Sequence, residues 1–497
     1  MGKSGLLKKF LEQKTNYNEL AKHQIDSYNY FVKYGMNKVL DEIGVQEINI
    51  AEDEQIKLKL SNIKIGTPVI KEVDGSKRIL TPLEARTRDL NYMVPVYVDI
   101  VPYFGSRECI PKQTELYQLP VMVNSCICLM NNMSPEEKIK AGEDPYDPGG
   151  YFIINGTERV IVNFEHIASN KLILRKKDKD ISVRIDSSHN GFTQKHSFEK
   201  TKKGLVVARF SMFSKEPVPI VILMKILGIE KDKDVVDAIT AKDSEKEDIF
   251  LNLMQCDCPT KKECFSYVSE ILNIKEEDEE REKAIIYQKL DTNLLAFIGT
   301  DENSRIQKAI YLAKIFRKLI LLHNDKLPDE DIDHYSNKRI RTVGELLENL
   351  FRYSIIGKWG LISKLQFNYQ RLLRRGKKIV RLEEMISQNT MTKQILRAMA
   401  TGNWISGETG VCQRLERTNY MRAQEHARSI ISPLTPSQEH FDARELHCTH
   451  WGRLCPVRTP EGQNIGLRKY LAVGGQITEE ADKETAEYIY NKIKKLM

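Results

Sequence analysis

From Thr401 to Val473 the chain is dense in glycine, proline, arginine, histidine and amide side chains and short of long apolar runs. Such a stretch cannot be chiefly core. Guanidinium, imidazole and amide groups on loops stiffened by proline are what a site needs to hold hydrogen-bond donors at fixed positions toward a ligand. His447, Cys448, His450 and Cys455 crowd together here, which raises zinc as a reading. Two features count against it: Cys448 falls between the histidines rather than at ligand spacing, and the neighbouring Pro and Gly residues disfavour a helix that would align them. A cysteine nucleophile with a histidine base lacks an identifiable third group to orient it. The acids Glu445 and Glu461 lie near Arg444 and Arg458, where ion pairing competes with general acid–base work.

A second chemical feature lies upstream. Lys364, Arg371, Arg374, Arg375, Lys377, Lys378 and Arg381 fall in one run that contains no acid. Helical spacing sets Arg371, Arg374, Arg375 and Lys378 on adjoining turns of one face, an arrangement that neutralises successive phosphates and releases their counterions. Such contacts give affinity without sequence choice. A solvated face or a contact with an acidic partner subunit would use the same residues.

The elements that must position these groups are legible in the apolar spacing. Between Gly5 and Ile43 apolar residues recur at three and four, which predicts amphipathic helix. Ile56, Leu58 and Leu60, then Ile63 and Ile65, alternate with polar neighbours as in a half-buried strand. Asn155-Gly156 between two β-prone runs predicts a hairpin, because both residues tolerate positive φ. Ile181, Val183 and Ile185 predict another strand before a turn at Asn190-Gly191. The run Ile220 to Leu253 reads as mostly helical, with Ile220, Leu223, Met224 and Leu227 on one face and Gly228 ending the first helix. Helical pattern returns after Pro328 and continues to Met399. The acids Glu276 to Glu280 read as a solvated surface, and Cys256, Cys258 and Cys264 offer three thiols without a companion pair for zinc. The fold class expected is α+β and multidomain, with mixed helices and antiparallel sheets.

At 497 residues the chain exceeds what one core sustains, so two to four domains are expected, packed on one another because no Pro- or Gly/Ser-rich linker separates them. Hydrophobic residues at 41% and charged residues at 29% exclude a disordered chain. The net charge of +7 permits a polyanionic partner without establishing one. No apolar run reaches the roughly 20 residues that span a bilayer, and the amino terminus turns charged before a signal-peptide core can form. No membrane partner and a cytoplasmic location are expected. Nine cysteines without a secretion signal read as reduced thiols.

The segment Glu445-Leu446-His447-Cys448-Thr449-His450-Trp451-Gly452-Arg453-Leu454-Cys455-Pro456 through Thr459-Pro460-Glu461-Gly462-Gln463-Asn464-Ile465-Gly466-Leu467 resembles the fork signature of the second-largest subunit of cellular RNA polymerases, called β in bacteria. Further matches follow in the family's order. Pro82-Leu83-Glu84-Ala85-Arg86 with Tyr92, and Leu119-Pro120-Val121-Met122, look like the protrusion; Gly150 to Gly156 looks like the hairpin where protrusion passes into lobe. Glu216 to Ile220 resembles a lobe segment, Asp331 to Arg339 the return to the protrusion, and Ala400 to Trp404 the opening of the fork.

The resemblance implies an amino-terminal half of that subunit, of the archaeal B-double-prime type. It implies a protrusion at 1–167 and 339–398, a lobe at 168–338, a fork at 399–478, and at 479–497 the start of an external domain that a partner chain completes. By the same resemblance Gln413, His426, Arg428, Arg444, Glu461 and Asn464 line the RNA–DNA hybrid or the nucleotide-addition site, with Arg453 as a supporting contact. Ser432 to Ala443 matches the loop that helps hold downstream strands apart; it is shorter than the bacterial Gly-rich stretch associated with rifamycin, so drug sensitivity does not carry over. Implied partners are the carboxy-terminal half, the largest subunit, other polymerase subunits and initiation factors, double-stranded DNA and the RNA–DNA hybrid. The family's catalytic Mg²⁺ ligands belong to the largest subunit, so neither a catalytic residue nor a metal site is expected in this chain. An autonomous DNA-binding or metal-dependent nuclease module is the competing expectation, resting on the basic run and the His/Cys group.

Overall fold

The computed structural model describes residues 20–49, 55–72, 74–104, 107–177, 180–239, 246–256, 258–274, 278–375, 388–404, 407–478 and 483–496. The chain divides into two compact units, one made of Met1–His166 with Ile340–Met497 and the other of Ile167–Arg339. Both mix helices with antiparallel sheet, the α+β class expected.

In the discontinuous unit the helical lead-in runs as Lys22–Tyr30, a π turn at Phe31–Gly35, and Met36–Ile43. It buries Tyr28, Phe31, Met36, Val39 and Leu40. The predicted helix is therefore present from Lys22 with a π turn that the spacing does not announce; the residues before Leu20 lie outside the described ones. The helix Val343–Ile356 packs against this lead-in. Gly344 makes that approach possible, since a Cβ there would stand 2.4 Å from the Ser27 carbonyl oxygen. The Ser27 hydroxyl accepts the Gly344 N–H at 2.9 Å, which satisfies one of the orphan donors of the helix start. Phe31 and Tyr117 meet Phe351 with ring centroids 6.5 and 5.5 Å apart, joining early and late chain in one core.

The main sheet of this unit places Gln55–Ile65 between Val45–Asn49 and Met93–Phe104, with Lys112–Pro120 beyond, all antiparallel. Leu58 and Leu60 are buried, as the alternation requires. The apolar parity then moves from even to odd residues at Ile63 and Ile65. A register shift between Ser61 and Lys64, with Asn62 at φ 53°, accounts for it, because one extra residue turns every later side chain to the other face.

Asn155 and Gly156, at φ 48° and 68°, close the predicted hairpin between Phe152–Ile154 and Thr157–Ile161. Late chain then adds to early strands. Cys412–Arg414 pairs antiparallel with Thr157–Ile161, setting Gln413 opposite Val160. Ser429–Ile431 runs parallel to Asn163–Ile167, with Asn163 opposite Ile430, and antiparallel to Arg468–Tyr470. The helical pattern expected after Pro328 begins only at Val343, because Lys338–Arg341 is a strand; from there to Met399 the described residues form the helices Val343–Ile356, Leu361–Arg374 and Gln388–Thr401.

The Ile167–Arg339 unit is built on an antiparallel meander of Leu172–Lys177, Asp180–His189, Phe192–Lys200, Val206–Arg209 and Val218–Pro219. Ile181, Val183 and Ile185 face its core, and Asn190-Gly191 makes the predicted turn at φ 47° and 75°. The helix Ile220–Ile226 is buried on every side rather than along one face, and Gly228 follows its end at φ 124°. Of the five acids, Glu276 and Glu277 lie outside the described residues. Asp278 caps the helix Glu279–Asn293, and Glu279 pairs with Lys262 at 2.7 Å. Cys256, Cys258 and Cys264 are buried, and burial pushes the Cys264 thiol up to about 12. Among the described residues no helix is long and apolar enough to cross a membrane.

Candidate functional site

Strand Cys412–Arg414, helix Tyr420–Ala427 and strand Arg468–Tyr470 bring three polar side chains to one point. The His426 ring is buried among them. Its Nδ1 accepts the Glu416 backbone N–H at 3.3 Å, so the proton of the neutral ring sits on Nε2, which donates to Gln413 Oε1 at 3.1 Å. Arg468 Nη2 donates to the same oxygen at 2.8 Å, while Gln413 Nε2 donates to the Gly410 carbonyl at 2.9 Å. Burial, and then the Arg468 charge, hold the His426 imidazole down to about 4. Glu416 opposes that shift from the other side, and Arg422, ion-paired with Glu416, adds to it. At neutral pH His426 is an uncharged hydrogen-bonding group in a fixed tautomer.

Arg428 is buried and spends its guanidinium on carbonyls, donating to Leu20 at 3.2 Å and Ala472 at 2.6 Å. Its cationic form is disfavoured by that burial, which lowers its pKa from the ordinary arginine value. Beside it His23, 3.2 Å from the Ala427 carbonyl, is brought down to about 4 by burial and by Arg428.

Arg444 has a different task. Its Nη1 donates to the carbonyls of Gln463 and Ile465 at 2.7 and 2.9 Å, and its Nη2 to those of Pro436 and Gln438 at 2.9 and 3.1 Å. One side chain thereby ties the 433–440 loop to the 462–466 turn. Gly466 lies against the Arg444 backbone: at φ 71°, a Cβ there would stand 2.2 Å from the Arg444 carbonyl oxygen. The Gly466 N–H goes to Thr459 Oγ1 at 2.9 Å, whose hydroxyl donates to the Arg468 carbonyl at 3.0 Å.

This scaffold presents Arg453, Glu461 and Asn464, all exposed. Arg453 reaches back to the Thr449 carbonyl at 3.2 Å. Glu461 precedes the single turn Gly462–Asn464 and makes no ion pair among the described residues. The residues singled out from sequence thus separate into a hydrogen-bonded pair, Gln413 and His426, a separately buried Arg428, a loop clamp, Arg444, and a solvent-facing group, Arg453, Glu461 and Asn464.

Two contributors escape the spacing argument. Arg468 completes the His426 group, and Lys469 makes a buried ion pair with Glu165 at 3.2 Å. The signal for Lys469 was its place inside the apolar stretch Leu467 to Val473, where a cation needs a partner. As for zinc, the His447 Nδ1 is engaged 2.6 Å from Thr449 Oγ1 and accepts the Thr449 N–H at 3.2 Å. No group of three or more His, Cys, Asp or Glu side chains among the described residues is placed to hold a metal ion.

The basic run begins on helix Leu361–Arg374, whose Leu361, Ile362 and Leu365 are in the core. Lys364, Arg371, Arg374 and Arg375 are exposed and make no ion pair among the described residues. Lys377, Lys378 and Arg381 lie outside those residues.

Residues 19–393 match the family model described as RNA polymerase beta subunit, and residues 413–477 match RNA polymerase Rpb2, domain 3. The chain is 37% identical over 477 residues to DNA-directed RNA polymerase subunit Rpo2N of Methanocaldococcus jannaschii, covering 93% of this chain and 94% of that one. It is 34% identical over 505 residues to Rpo2N of Methanothermobacter thermautotrophicus, covering 95% and 94%. Against DNA-directed RNA polymerase subunit Rpo2 of Saccharolobus shibatae it is 36% identical over 474 residues, which is 94% of this chain and 41% of that longer relative. With a family match across most of its length and more than a third of its residues shared with archaeal Rpo2N, this protein belongs to the RNA polymerase beta-subunit family and is a subunit of DNA-directed RNA polymerase of the divided, amino-terminal-half kind.

Proposed function

We propose that the 399–478 segment forms the fork beside the RNA–DNA hybrid and that the chain as a whole makes one wall of the DNA cleft. The observation that carries this reading is the Arg444 clamp, which fixes the turn bearing Glu461 and Asn464 relative to the 433–440 loop. Groups held by a rigid inner network can orient a nucleic acid without reorganising when it arrives. In this reading Gln413, His426, Arg428 and Arg444 support the surface, and Arg453, Glu461 and Asn464 face the ligand. The Ile167–Arg339 unit serves as the lobe, and the remaining early and returning chain as the protrusion.

The chain works in the cytoplasm with a carboxy-terminal half, the largest subunit, other polymerase subunits and initiation factors, on duplex DNA and the hybrid. The Mg²⁺ that stabilises charge in nucleotide transfer is held by the largest subunit in this scheme, and this chain contributes positioning.

The test is a reconstituted polymerase carrying a photo-crosslinking residue at Asn464 and a nascent RNA with a reactive 3′ end. Crosslinks from position 464 to RNA or template support the fork assignment. Crosslinks confined to protein, in a complex that elongates normally, reject it.

A further inference from the structure

The helix Leu361–Arg374 carries more than charge. Lys364, Phe367, Arg371 and Arg374 succeed one another at intervals of three, four and three residues, which is one stripe on a helix surface, with Arg375 alongside. The stripe extends over about 15 Å of helix. Ile362 and Leu365, on the other side of the helix, are fixed in the core, so the stripe stands on a rigid support. Phe367 is 64% exposed in the middle of the cations.

From this arrangement we infer that the stripe binds a single nucleic-acid strand, with one base stacked on the Phe367 ring and the flanking phosphates on Lys364, Arg371, Arg374 and Arg375. The inference rests on the reading of the arginines as phosphate contacts and adds the ligand class. For a duplex a row of cations is sufficient, because the bases are stacked inside and only phosphates and sugars are presented. A phenyl ring standing out of such a row has no duplex base face to cover. A single strand offers free base faces of any sequence, and aromatic rings interleaved with cations are how proteins hold one. An acidic protein would satisfy the arginines and leave the ring without a specific partner.

The experiment uses the full chain and a labelled 20-mer oligothymidylate, measured by fluorescence anisotropy, with a 5-iododeoxyuridine version for photo-crosslinking. The expected results are a crosslink mapping to Phe367, a roughly tenfold weaker affinity in Phe367→Ala and near-normal affinity in Phe367→Trp. The combined change Arg371→Gln, Arg374→Gln and Arg375→Gln should reduce the slope of log affinity against log salt by about 2. If that triple change weakens binding while Phe367→Ala does not, the strand assignment falls and the phosphate reading stands. If neither changes binding, both fall. Equal sensitivity of a 20-base-pair duplex to Phe367→Ala, or equal competition by polyglutamate, also overturns the single-strand assignment.

Discussion

His426 Nε2 lies 3.1 Å from Gln413 Oε1, an oxygen that Arg468 Nη2 also engages from 2.8 Å. Burial, and then the Arg468 guanidinium that shares this acceptor, keep the imidazole neutral, because a second positive charge would stand beside the first in a site shut off from water.

Acid should therefore loosen this unit. The folded pKa of His426 is about 4, below the unfolded value near 6.5, so the unfolded chain takes up the proton first. The stabilisation from keeping His426 neutral is complete above about pH 6.5 and is lost as pH falls toward 4, by an amount on the order of 3 kcal/mol. Unfolding temperature followed from pH 7 to pH 4.5 should fall more steeply in the parent chain than in His426→Gln. Parallel curves would show that another group carries the acid sensitivity.

Removing the Arg444 clamp should free two loops without unfolding the protein. In Arg444→Ala, backbone amides in 433–440 and 462–466 are expected to exchange hydrogen at least tenfold faster, with little change in the core strands. Assembled into polymerase, the variant should lose elongation rate more than it loses assembly. Unchanged exchange in both loops would remove the clamp from the explanation.

Gly466→Ala should cost about 2 kcal/mol or more, through a left-handed backbone and a Cβ pressed on the Arg444 carbonyl. Urea denaturation reads this directly, and a loss under 0.5 kcal/mol would contradict the packing described.

Lys469 and Glu165 should show strong coupling. Lys469→Met takes the Lys469 ammonium away from the buried Glu165 carboxylate and is expected to destabilise by about 3 kcal/mol. Adding Glu165→Leu should restore more than half of that loss, since replacing both partners removes the buried carboxylate along with the cation that faced it. Additive losses in the double variant would mean that the pair is not coupled.

Which parts of this were legible follows from how far each interaction reaches. Asn155-Gly156 announces its hairpin because the turn needs only its own two residues. Leu58, Leu60, Ile63 and Ile65 carry the strand pattern, and the change of parity records the bulge, though the residue types alone do not say where the extra residue sits. The Phe31–Gly35 π turn leaves no comparable mark. Within the site, the density of polar residues marked the region, and the family resemblance marked His426, Gln413 and Arg444. Their geometry stayed hidden because Arg444 binds backbone carbonyls, which every residue has. The His426 group closes only when Gln413 meets Arg468 across 55 residues of chain. Strand Ser429–Ile431 finds its parallel neighbour in Asn163–Ile167, a pairing set by tertiary packing rather than by local pattern.

The contact of Tyr117 with Phe351 also sets a timetable for biosynthesis. Roughly 230 residues separate the two rings, which at ribosomal rates of about 5–20 residues per second is a wait on the order of 10–50 s. Throughout that interval Tyr117, Phe31 and their neighbours have left the ribosome without the helix that covers them. The whole of Ile167–Arg339 emerges in the meantime and can close its own core first. The nascent chain therefore needs shelter for its first strands while its middle is already folded, and a holding chaperone should be found on the early segment until the helix bearing Phe351 has been made.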